Sequence, residues 1–190
     1  MISAFDLFSL AVCISGVYDT FSLELPPYLQ RGGHFQFLTN ISLLSTCIYI
    51  ISKHILMLPP RQANLIYNTV MNLEFTVTSC YWTLHYILPH WLNTATIDRN
   101  FVLDFKIHLW PYLYLLVCKE RRNKWGSLGS GVVFAFYWAY IEWLVGSDPT
   151  QRFAYPFLNR GGLPARAFWL FGMWLVGTLN YLLLKYIKNI

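Results

Sequence analysis

The residues able to do chemistry in this chain are embedded in apolar sequence. Arg31-Gly32-Gly33-His34-Phe35-Gln36-Phe37-Leu38-Thr39-Asn40 joins a flexible glycine pair to a long apolar run, and it sets the Thr39 hydroxyl one to two helical turns inside that run. An isolated threonine at such a depth ordinarily serves as helix-packing glue. It becomes a nucleophile only where a base reaches it, because a neutral hydroxyl attacks poorly. A candidate base lies far along the chain. Asp104 and His108 are four residues apart and so stack on one helix face, where the carboxylate can hold the imidazole in one tautomer. Pro111 follows one turn later and has no N–H to give the carbonyl of Ile107, so a kink is expected beside His108. Lys106 points away from this pair, to snorkel or to meet an acidic residue of another segment.

Further polar side chains recur with helical spacing. Glu74, Thr78, Tyr81 and His85 fall at i, i+4, i+7 and i+11 and share one face. A carboxylate at bilayer depth needs a partner or a wet cavity, so this face is expected either to line an interior or to fix helix packing through a buried network. Thr39, Ser42 and Thr46 form a second polar stripe, whose bland reading is a helix–helix contact. Tyr155-Pro156-Phe157-Leu158-Asn159-Arg160 and Gly161-Gly162-Leu163-Pro164-Ala165-Arg166 make up a loop expected on the membrane side of Gly32-Gly33. Arg160 and Arg166 there suit either interfacial anchoring or an anionic lipid head group.

The elements that must position these groups follow from composition. The 190 residues are 56% hydrophobic and 12% charged, against about 25% charged in an ordinary soluble domain. Apolar segments predict about six transmembrane helices, at 4–23, 35–57, 65–89, 101–118, 127–146 and 167–187. The expected fold is an all-α polytopic bundle forming a single integral membrane domain over 1–190, without a soluble domain. No basic region precedes the first segment, so a cleaved signal peptide is not expected. Ser127, Gly131, Ala135 and Ala139 form a small-residue ridge suited to close helix packing. The net charge of +5 gathers at segment ends, where it sets orientation rather than binding nucleic acid. Lys53, Arg61, Lys119, Arg121, Arg122, Lys124, Lys185 and Lys188 on one side, against Arg31, Arg99, Arg152, Arg160 and Arg166 on the other, predict cytoplasmic termini. Cys13, Cys47, Cys80 and Cys118 lie on four separate segments and make neither a disulfide framework nor a zinc motif. The five histidines lack the clusters of a membrane di-iron site, so no metal is expected. A transporter relaying protons through Glu74, Asp104 and Lys106 is disfavoured by the absence of an inverted repeat.

Three blocks, Gly32-Gly33 through Leu38-Thr39, the His108 segment, and Tyr155-Pro156-Phe157-Leu158 running to Ala165-Arg166, resemble the androgen-induced-gene family of multispan membrane proteins. The resemblance covers most of the chain, and its specificity lies in the order and spacing of short motifs. It implies a cofactor-independent threonine hydrolase that cleaves fatty acid esters of hydroxy fatty acids, with Thr39 as nucleophile and His108 as base. Where the family usually shows Asn-His-x-x-His, this chain has Asp104-Phe105-Lys106-Ile107-His108, which bears on substrate choice and proton transfer. Asp104 is expected to orient the imidazole, and the Asn40 amide and backbone amides near Gly33 to stabilise the oxyanion. Glu74, Tyr81, His85, Arg160 and Arg166 are candidates for lining the cavity or binding substrate. The implied partners are membrane lipids and a lipid ester entering from the bilayer, in the endoplasmic reticulum; the oligomeric state stays open. The competing reading keeps the same fold as a non-catalytic lipid-binding or regulatory protein, with Thr39 and His108 as packing residues.

Overall fold

The computed structural model describes residues 2–92 and 100–187. Arg99 and Lys188 from the charge comparison lie outside the described residues, as does the side chain of Lys185. Among the described residues there are seven α-helices and no strands: α1 Ala4–Phe21, α2 Leu38–His54, α3 Pro60–Ile87, α4 Phe101–His108, α5 Trp110–Val117, α6 Trp125–Gly146 and α7 Leu163–Ile187. They form one all-α membrane bundle. α1, α6 and the stretch Leu163–Leu184 of α7 are long and apolar enough to cross a membrane by length and composition. Their outward faces carry large exposed apolar side chains such as Phe8, Ile14, Phe136, Phe168 and Leu179, as a lipid-facing surface requires.

α3 is the centre, packing against α2, α4, α5, α6 and α7. Surrounded by protein, it can carry polar groups that a lipid-facing helix cannot. Asn68, Asn72, Glu74 and Thr76 are all buried on it. Each is used. Asn68 accepts the Asn123 N–H at 3.0 Å and donates to the Arg121 carbonyl at 2.9 Å, while Asn180 of α7 donates to Asn72 Oδ1 at 3.2 Å and to the Met71 carbonyl at 3.3 Å. Glu74 is fully buried, and Thr46 of α2 donates to its Oε1 at 2.7 Å, so the two polar stripes seen in the sequence face each other. The small residues of α6 work differently from the expected ridge. Gly126 and Gly129 press on Asn68 and Thr69 of α3, Gly131 meets Trp174 of α7, and Ala135 and Ala139 are exposed. A glycine lets backbones approach where an alanine on the outer face cannot contribute.

α3 starts at Pro60 and α7 at Leu163, earlier than the expected 65 and 167, and two further departures bear on function. α2 begins at Leu38 instead of residue 35. Gly33 takes φ +54°, a short 3-10 turn covers Gly33–Gln36, and Phe37 is extended, so the helix cannot start earlier. Thr39 therefore lies in the first turn of α2, not one to two turns inside. The expected segment 101–118 is divided at Leu109, whose φ and ψ of −132° and −48° separate α4 from α5. Pro111 sits in the first turn of α5, where a missing N–H costs nothing, so the expected kink is a full break immediately after His108.

The ends of the bundle are tied separately. At one end Tyr114 donates to Asp6 at 2.9 Å, and Lys53 pairs with Glu120. At the other, the segment before α2 meets the loop before α7: Arg152 N donates to the Tyr28 carbonyl at 3.2 Å, and Arg31 lies 3.6 Å from Asp148. Lys106 meets an acidic residue of another helix, Asp19 of α1.

Candidate active site

The Gly32–Phe37 segment is pinned from α6, where Tyr137 donates to the Gln36 carbonyl at 2.9 Å and Tyr140 donates to the Gly32 carbonyl at 3.0 Å. These hydroxyls are three residues apart and reach along one helix face, which fixes where α2 begins and hence where Thr39 stands. A cavity of about 190 Å³ opens beside that first turn. Thr39, Asn40, Tyr81, Asp104 and His108 line it together with His34 and Tyr155, and its remaining wall is mostly apolar, including Leu38, Val77, Leu103, Ile107 and Met173. Glu74, His85, Arg160 and Arg166 are not among its lining residues.

The cavity thus receives residues from α2, α3, α4 and the loop before α7, which lie far apart in sequence. His108 is 8% exposed, and among the described residues its Nδ1 has no hydrogen-bond partner. Asp104 Oδ1 stands 3.8 Å away, too far for the hydrogen bond that the four-residue spacing suggests. The ring is oriented by Tyr81, which stacks on it with centroids 3.5 Å apart and planes 6° from parallel. Stacking fixes the imidazole plane without using either ring nitrogen.

The expected oxyanion donors are partly committed elsewhere. Asn40 donates its amide to the His34 carbonyl at 2.9 Å, and the Gly33 N–H is spent on the Gln30 carbonyl at 3.2 Å because the glycine forms a turn. A group absent from the sequence-based candidates also stands beside Thr39. The Tyr155 phenol accepts the Leu38 N–H at 2.9 Å, and the hydroxyl and amide of Thr39 also bear on it. Burial raises the Tyr155 hydroxyl above the ordinary phenol range, against those hydrogen bonds, so it stays protonated. Its only sequence signal is its place in the Tyr155-Pro156-Phe157-Leu158 block.

Of the remaining candidates, Arg166, His85 and Glu74 are engaged structurally. Arg166 forks onto Glu142, with Nε to Oε1 at 2.6 Å and Nη2 to Oε2 at 2.9 Å, and its guanidinium lies 4.8 Å from the Phe153 ring centroid. Arg160 is exposed at the end of the loop. His85 packs against Tyr81 at 5.7 Å and Trp82 at 5.4 Å, and Glu74 lies in the α2–α3 seam.

No solved structure matches this chain. The chain is 28% identical over 169 residues to the UPF0641 membrane protein YHR140W of Saccharomyces cerevisiae, covering 73% of this chain and 70% of that protein. The model of the FAR-17a/AIG1-like proteins matches residues 1–189: the chain belongs to the FAR-17a/AIG1-like, or androgen-induced-gene, family.

Proposed function

We propose that this protein is an intramembrane ester hydrolase that cleaves fatty acid esters of hydroxy fatty acids, with Thr39 as nucleophile and His108 as base. The observation that carries the proposal is that Thr39 and the buried imidazole of His108, from separate helices, line one mostly apolar cavity. Thr39 Oγ1 attacks the ester carbonyl and passes its proton to His108, which returns it to the departing hydroxy-acid oxygen. The acyl-threonine is then hydrolysed by a water that His108 deprotonates, freeing the fatty acid and restoring the Thr39 hydroxyl. At about 30 Å³ per water-sized group, 190 Å³ holds the ester and a few methylenes. The two acyl chains then extend into the bilayer, from which the substrate enters laterally. The endoplasmic reticulum, with both termini cytoplasmic, suits such a substrate and the distribution of basic residues.

The test is hydrolysis of a palmitic acid ester of hydroxystearic acid by membranes containing the wild type, Thr39→Ala or His108→Ala at matched protein level. Activity in the wild type alone is expected; turnover by His108→Ala equal to the wild type would refute the assignment of the base. The second reading, a lipid-binding protein without chemistry, draws on Phe105, which stands where the family usually has a histidine, and on the missing Asp104–His108 hydrogen bond. A fluorophosphonate probe separates the two, since only a working hydroxyl nucleophile is modified.

A further inference from the structure

We propose that the Tyr155 hydroxyl donates the hydrogen bond that stabilises the oxyanion formed when Thr39 attacks an ester, an inference that rests on the hydrolase reading. The phenol lies at the N-terminus of α2 and borders the same cavity as Thr39 and His108. It accepts the Leu38 N–H at 2.9 Å. A phenol has one O–H donor besides its acceptor lone pairs, so accepting that amide does not spend its proton; the neighbouring hydroxyls are Thr39 and Tyr137, the latter already donating to the Gln36 carbonyl, and an oxyanion is the stronger acceptor for the Tyr155 O–H. The Gly33 N–H is already spent on the Gln30 carbonyl, and Asn40 is tied to the His34 carbonyl by one of its two amide protons.

The tyrosine is also held before any substrate arrives. Asn159 accepts the Phe153 N–H at 3.1 Å and donates to the Phe153 carbonyl at 2.9 Å, closing the loop across Tyr155. Leu158 N donates to the Tyr155 carbonyl at 3.0 Å, and the ring lies 5.6 Å from Phe157 and 6.3 Å from Phe37. A donor fixed in advance and shielded from water is what makes an oxyanion contact effective, since no reorganisation is required during reaction. The attack converts the carbonyl oxygen to an alkoxide, Tyr155 hydrogen-bonds to it without transferring its proton, and the contact weakens when the carbonyl reforms.

Tyr155→Phe keeps the ring and removes the donor. Its kcat is expected to fall by about 10²–10³ while KM changes by less than about threefold. The rate ratio between an ester and the matching thionoester reads the contact directly, because sulfur accepts hydrogen bonds poorly. That ratio is expected to collapse in Tyr155→Phe; an unchanged ratio means that Thr39 has merely been displaced, and overturns the proposal. A 3,5-difluorotyrosine at position 155 covers the case in which Tyr155→Phe does not fold. Ionising the phenol improves it as an acceptor for Leu38 but abolishes its donation. The alkaline limb of kcat must therefore move toward neutral pH; an unmoved limb assigns Tyr155 a structural role and overturns the proposal. Normal turnover by Tyr155→Phe alongside an inactive Thr39→Ala rejects the oxyanion role alone. A wild type inert toward every ester tried rejects both that role and the hydrolase reading.

Discussion

Gly177→Ala, compared with Gly172→Ala on the same helix, tests the packing that holds α7 against the site. A Cβ at Gly177 would come within 2.6 Å of Thr76 Oγ1 and 2.8 Å of the Asn72 carbonyl oxygen, whereas a Cβ at Gly172 meets nothing within 4 Å. The Asn72 carbonyl belongs to the backbone of α3 and cannot rotate away, so α7 must retreat. Thr76 donates to the Met173 carbonyl at 3.2 Å, and Asn180 donates to Met71 and Asn72 at 3.3 and 3.2 Å. A retreat of about half an ångström carries all three bonds beyond useful range. Hydrogen bonds between membrane helices contribute about 0.6 kcal/mol each, giving about 2 kcal/mol for the set, with residual overpacking raising this to about 3 kcal/mol. Both variants share the gain of about 1 kcal/mol from replacing glycine in a helix, so their difference isolates the packing. For a chain of this size that difference corresponds to about 4–12 °C in Tm. The assay is thermal unfolding of purified protein in one detergent at fixed concentration. Equal Tm values, or a more stable Gly177→Ala, would refute the close approach of α3 and α7. Met173 lines the cavity, so retreat of α7 should also reduce ester turnover in Gly177→Ala while sparing Gly172→Ala.

Three further outcomes are expected. Thr46→Val preserves shape but removes the donor to Glu74 Oε1, leaving the buried carboxyl with Ser42 as its neighbouring hydroxyl, so stability should fall by about 1–3 kcal/mol in the same assay; no change would mean that Ser42 replaces the lost donor. Arg166→Lys loses the fork onto Glu142 and should lower Tm while leaving KM for the lipid ester unchanged; a raised KM with unchanged Tm would make Arg166 a substrate contact instead. Burial holds the His34 imidazole below its ordinary value of 6.5. Its contribution is therefore complete above that value and is lost as pH falls toward the folded-state value, where the unfolded chain binds more protons. His34→Phe retains a ring to stack on Phe21, which lies 4.9 Å away in the wild type, and should flatten the acid side of the stability–pH curve. A profile identical to the wild type would show that His34 does not titrate with unfolding.

Much of the fold and part of the candidate site are legible in the sequence for a definite reason. Apolar runs with few charges leave a chain no alternative to membrane helices, and four-residue spacing determines which side chains share a helix face. Hence the polar stripe of Thr39, Ser42 and Thr46, the face shared by Glu74 and Tyr81, the turn of Lys106 away from Asp104 and His108, and the disturbance at Pro111 can all be read from residues within one segment. Periodicity says nothing about which faces meet. Thr46 finding Glu74, Lys106 finding Asp19 and Tyr81 stacking on His108 are decided by how helices dock. Local spacing also misleads where the backbone departs from an ideal helix. Asp104 and His108 have the spacing of a hydrogen-bonded pair, yet they lie 3.8 Å apart beside the break at Leu109, and Arg166 has the chemistry of a head-group binder but is satisfied by Glu142. Tyr155 is the clearest tertiary decision. It lies 117 positions from the Leu38 amide it accepts, in a loop without periodicity, and only the docking of that loop against the start of α2 brings its hydroxyl to Thr39.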